Sequence, residues 1–165
     1  MTRLRYIEWL LAGGLGIALF VAAPSYLGGP VTDDEMNYLN LSLNPVPDAR
    51  FLNRYGHIYL QKFFVWAKGD ALTGAKVYWG FLAAVTVVST YAAARMLVGR
   101  GDYLAGLLVL VLLAGQTTII RFAGVTYADF TVMMFAAVVL ALYLAYVGRH
   151  GPSWLLALLG FVLFF

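Results

Sequence analysis

The chain has 165 residues, 62% of them hydrophobic and only 12% charged, with a net charge of +3 and a mean hydropathy of +0.82. A water-soluble domain carries about a quarter charged residues, so this composition reads as an integral membrane protein whose solvent is lipid. The basic residues lie at the ends of apolar runs, which sets orientation and excludes a nucleic-acid surface, and the absence of Cys excludes disulfides, thiolate metal sites and a thiol nucleophile.

Arg3 and Arg5 precede a first apolar run over 6–27, long enough to cross ~30 Å of hydrocarbon as a retained span rather than a cleaved signal. Glu8 and Trp9 lie at its start, in the expected interfacial layer. Gly13, Gly14 and Gly16 offer a small-residue face to a neighbouring helix, and Gly28-Gly29-Pro30 ends the run.

Residues 28–76 form a long, polar and aromatic outer loop. Its first feature is Asp33-Asp34-Glu35, which holds three of the chain's eight acidic residues. Adjacent carboxylates raise one another's pKa unless a cation, hydrogen bonds or a partner compensates them. The cluster therefore reads either as a chemical site or as the capped start of an interfacial helix, with Asp33 or Asp34 as N-cap. Met36, Leu39 and Leu43 follow at helical spacing, although Leu39, Leu41 and Leu43 also alternate. Asn40-Leu41-Ser42 matches the N-glycosylation pattern, a sequence common by chance. After the break at 44–48, Tyr55, Ile58, Tyr59, Lys62, Phe63 and Trp66 share one side of a helix, a mixture of rings and lysine that suits the headgroup layer. Arg50 and Arg54 read as headgroup contacts, and His57 as a satisfied interfacial histidine in preference to a base.

Three further spans are expected at 77–98, 103–120 and 130–147, with a fifth apolar segment, 153–165, too short to cross. The fold class is thus all-α and polytopic, with four full spans, a partial fifth and interfacial helices in the first outer loop. Arg3, Arg5, Arg95, Arg100 and Arg149 fall on one side, which the positive-inside rule makes cytoplasmic, together with the amino terminus. The outer loop and the polar break at 121–129 then share the opposite face. Asp129 is either a helix cap or a functional acid on that face, and Arg121 either an anion ligand or an interfacial anchor.

Three motifs in this order carry a resemblance. Asp34, Glu35 and Tyr38 form Asp-Glu-x-x-Tyr after the first span, Gly56, Tyr59 and Lys62 form Gly-x-x-Tyr-x-x-Lys, and Asp129 opens the fourth span. Together they resemble the amino-terminal part of GT-C fold membrane glycosyltransferases, of the protein O-mannosyltransferase and aminoarabinose-transferase type. The chain departs from that pattern at Asn37, where the subgroup often has Arg, and at Phe63-Phe64, where it often has Pro-Pro.

The resemblance implies transfer of a sugar from a polyprenyl-phosphate donor to an acceptor at the outer face of the plasma membrane. It implies Asp34 as general base, with Glu35 beside it in the catalytic pair. Tyr38, Tyr59, Lys62, Arg121 and Asp129 become substrate-binding residues, Lys62 and Arg121 toward the departing phosphate, and the missing carboxy-terminal part or a partner subunit would complete the enzyme. A divalent cation would suit the acids, but no motif requires one, and no metal site is expected of the two distant histidines, His57 and His150. Two other classes stay open from sequence: a transporter or channel segment whose outer acids collect a cation, and a non-catalytic membrane subunit. The nearly uncharged spans weigh against the transporter.

Overall fold

A computed structural model describes residues 2–26, 33–44, 55–98, 103–115 and 128–149, with Trp154 and Leu158. Among the described residues the structure is helical, without strands. The described residues form, in order, α1 (Thr2–Tyr26), α2 (Asp33–Leu43), α3 (Tyr55–Lys68), α4 (Ala71–Val98), α5 (Tyr103–Ala114) and α6 (Ala128–Arg149).

The helix α4 is the hub, against which α1, α3, α5 and α6 all pack. Its Tyr78, Trp79, Leu82, Ala83 and Val87 are buried with Met134 of α6, and Leu15, Leu19, Leu39 and Phe64 close around them. Residue pairs fix the directions. Glu8 meets Tyr91 and Arg95, Gly16 faces Ala84 and Val88, and the Phe20 carbonyl lies beside Gly80, so α1 runs antiparallel to α4. A Cβ added at Gly80 would stand 2.5 Å from that carbonyl oxygen, inside contact distance, so the close crossing needs glycine there. Gly106 abuts Glu8, and Leu110 packs with Ala12 and Tyr91, so α5 runs alongside α1. Tyr78 meets Thr131 near the amino ends of α4 and α6, which run parallel. One end of the bundle therefore carries α2, α3 and the starts of α4 and α6. The other carries Glu8, Arg95 and the start of α5.

Two of the four expected spans are matched by helices long and apolar enough to cross a membrane, Ala71–Val98 and Thr131–Gly148. The apolar stretches of the other two, Tyr6–Ala22 and Leu104–Ala114, are shorter. The expected end of the third span and the break at 121–127 lie outside the described residues, as does most of the fifth segment. The second span starts earlier than its apolar run suggests, at Ala71 rather than at 77. Gly69 (φ 68°) closes α3, donating its N–H to the Val65 carbonyl at 3.0 Å, and the Thr73 N–H donates to Asp70 Oδ2 at 2.6 Å to cap α4. Hydrogen bonds from Thr73, its side chain foremost, hold the exposed Asp70 carboxyl below the usual carboxylate range.

The glycines of α1 divide. Gly16 packs against Val88, whereas Gly13 and Gly14 face open space, so the small-residue face at this crossing is Gly16 alone of the three. On α3 the aromatic side is the outer one: Tyr59, Phe63 and Trp66 are exposed, with Lys62 among them. Ile58, grouped with them by spacing, is buried with His57, Gln61 and Val65 against the bundle.

Candidate functional site

The acidic cluster forms the first turn of α2, where negative charge is favoured by the unpaired N–H groups and the helix dipole. Asp34 and Tyr38 are four residues apart on this helix, a spacing that places them on one face. Their backbone is fixed by α2, while the side chains of Asp34, Glu35 and Tyr38 lie outside the described set. Leu39 anchors α2 to the core, and the buried Ser42 hydroxyl donates to the Leu39 carbonyl at 2.7 Å. The neighbouring Asn40 of the glycosylation pattern is exposed.

Next to α2 lies α3, which carries Tyr59 and Lys62 on its exposed side. Its inner side carries His57, buried to 3% exposure, together with Tyr78 of α4 (0%) and Thr131 of α6 (2%). His57 Nδ1 and Thr131 Oγ1 are 2.7 Å apart, Tyr78 Oη lies 2.9 Å from Thr131 Oγ1, and Tyr78 Oη lies 3.0 Å from His57 Nδ1. The Tyr78 and Thr131 hydroxyls can each donate or accept, so the trio closes whether Nδ1 accepts or donates. The edge-on ring of Tyr78 (5.4 Å) and that of Trp79 (5.9 Å) enclose the imidazole. His57 is thus hydrogen-bonded through Nδ1, and it lies in the core rather than at the interface.

Thr131 stands two residues after Asp129, so the trio joins α3 to the opening turn of α6. The backbone of Asp129 lies in that turn, its side chain falls outside the described set, and Arg121 lies outside the described residues altogether. The structure thus brings the helices bearing Asp34, Glu35, Tyr38, Tyr59, Lys62 and Asp129 to one end of the bundle. Among the described residues no three metal-ligating side chains come together.

A second polar cluster, at the opposite end, was not legible as such in the sequence. Arg95 Nε donates to Glu8 Oε2 at 2.8 Å, with side chains only 10% and 4% exposed, and the Tyr91 hydroxyl donates to the same oxygen at 2.9 Å. Trp9 packs edge-on against Tyr91 at 5.2 Å, while Glu8 Oε1 receives no hydrogen bond from the described residues. The available signal was depth, since Glu8 and Arg95 sit at matching positions in two antiparallel apolar runs.

Comparison of the chain with protein-family models, with curated proteins and with solved structures finds no match in any of the three.

Proposed function

We propose that the chain is the amino-terminal part of a polytopic membrane glycosyltransferase that moves a sugar from a polyprenyl-phosphate donor to an acceptor outside the plasma membrane. The observation that carries this reading is the gathering of α2, α3 and the opening turn of α6 at one end of the bundle. Those elements bear the three motifs, which are far apart in sequence. Lipid as the surrounding solvent is supported by α4 and α6, and by Leu10, Ile17, Leu104, Val111 and Val132, each of which exposes well over half its surface. The reading includes four crossings and a fifth begun, with the amino terminus in the cytoplasm.

In this reading Asp34 accepts the proton of the acceptor hydroxyl as its oxygen attacks the anomeric carbon. The bond from that carbon to the phosphate oxygen breaks, and polyprenyl phosphate leaves with the electron pair. Lys62, with Arg121, meets the growing negative charge on the phosphate. Glu35 and Asp129 orient the acceptor, and Tyr38 and Tyr59 line the donor.

The test uses the full-length protein in liposomes, with a radiolabelled polyprenyl-phosphate sugar and extracted cell-envelope acceptors. Asp34→Asn is expected to lower turnover on the order of 10²–10⁴-fold, the usual weight of a general base. Lys62→Ala should lower it as well, with a weaker hold on the donor. Turnover within a few-fold of wild type in both variants would remove the assignment.

A further inference from the structure

We infer that His57, Tyr78 and Thr131 act as a positioning clamp that sets the spacing between α3 and the opening turn of α6. For the proposed transferase, whose reading this part of the inference rests on, the clamp holds the helix of Lys62 in register with that of Asp129.

The three groups come from three helices and are separated in sequence by 21 to 74 residues. Apolar packing attaches α3 to α2 and α4, and attaches α6 to α4, so each helix is held to the hub rather than to the other. Packing of this kind resists separation but only weakly resists a slide of α3 around α4. Hydrogen bonds are directional, and a slide would break the His57–Thr131 bond and leave buried polar groups without partners. The members of the trio are buried, whereas Tyr59 and Lys62 are on the exposed side of α3. They position the site and take no part in the chemistry.

The experiment measures the α3–α6 distance in the full chain. The natural sequence has no Cys, so Phe63→Cys on α3 and Val132→Cys on α6, both exposed, accept spin labels at two defined places. Pulsed electron resonance in liposomes is expected to give one narrow distance distribution. Thr131→Val, which keeps shape and loses the hydroxyl, and His57→Phe should each broaden or shift it. His57→Asn should restore the narrow distribution, because its amide can accept or donate where Nδ1 bonds to Thr131.

On the same variants, kcat for sugar transfer should fall on the order of 10–100-fold with KM for the donor little changed, the pattern of misplacement rather than lost binding. Distributions that stay narrow in Thr131→Val and His57→Phe, even with a lowered melting temperature, overturn the clamp. If no variant and no wild-type protein transfers sugar, the transferase reading fails while the distances still decide the clamp. Thr131→Val removes one hydroxyl only, so the test stands even where His57→Phe does not fold.

Discussion

Glu8 lies early in α1 with two donors aimed at one of its oxygens, and Gly106 of α5 leaves room for the carboxylate where a Cβ would stand 3.0 Å from it. The group thus ties three helices with one negative charge. Removing that charge leaves the buried guanidinium of Arg95 short of its counter-ion, the costly way to break such a pair. Glu8→Gln is expected to destabilise the bundle by about 3–5 kcal/mol, read from reversible unfolding in mixed micelles. Glu8→Leu combined with Arg95→Met should recover most of that loss, because neither charge is then buried alone. A double variant as unstable as the single one would show that the pair itself is not what holds these helices. At this scale the sequence was legible for the hydrogen bonding of His57 but not for its depth, since the ring lies in the core. It misread Glu8 and Arg95, because one-dimensional hydropathy treats charges near the ends of a run as surface groups and says nothing of which run packs on which.

Among the helices, the corner between α3 and α4 shows how local chemistry decides a boundary. Gly69 and Asp70 spell a helix end followed by a helix start, a positive-φ residue and then an N-cap, and both signals were present in the sequence. The hydropathy of the run hid them, since Thr73 and Lys76 made the first turns of α4 look like loop. The cap also carries a pH signature. Its folded pKa lies below the unfolded value of about 3.9, so its stabilisation is in full force above that pH and disappears as the pH falls through the lower, folded value. Asp70→Ala should therefore melt below wild type at neutral pH, with the gap closing progressively as the pH drops below about 4. A gap that persists unchanged under acid would assign the effect to something other than the carboxylate. The helix over the aromatic segment was legible in the same way, and only its inward side was not. Period reveals that a face exists, but whether rings or a histidine and a glutamine turn inward depends on what the neighbouring helix presents.

For the molecule as a whole, the order of helices followed from runs, breaks and prolines, and the sharing of one end by α2, α3 and the start of α6 followed from counting alternating directions. The four crossings did not follow with the same force, since among the described residues only Ala71–Val98 and Thr131–Gly148 have both the length and the apolar character. The candidate site was legible as motifs and as a place, because acids, a lysine and tyrosines stand out from a hydrocarbon background. Its supporting trio was not, for Thr131 and Tyr78 are ordinary span residues until the fold brings them to His57.

The Glu8 cluster also has a consequence in time. A chain is made from its amino end, and Glu8 precedes its partner Tyr91 by 83 residues, which at about 5–20 residues per second is a delay of roughly 4–17 s. Throughout that interval the carboxylate has neither Tyr91 nor Arg95, and hydrocarbon will not take it alone. In the membrane reading α1 must therefore wait in the headgroup layer and settle to its final depth only as α4 arrives, so the first helix made is among the last to be seated. A single Cys placed at Tyr6 should react with a membrane-impermeant maleimide in nascent chains halted before Tyr91 and become protected once Arg95 has emerged. Equal protection at both stages would mean that α1 seats itself unaided.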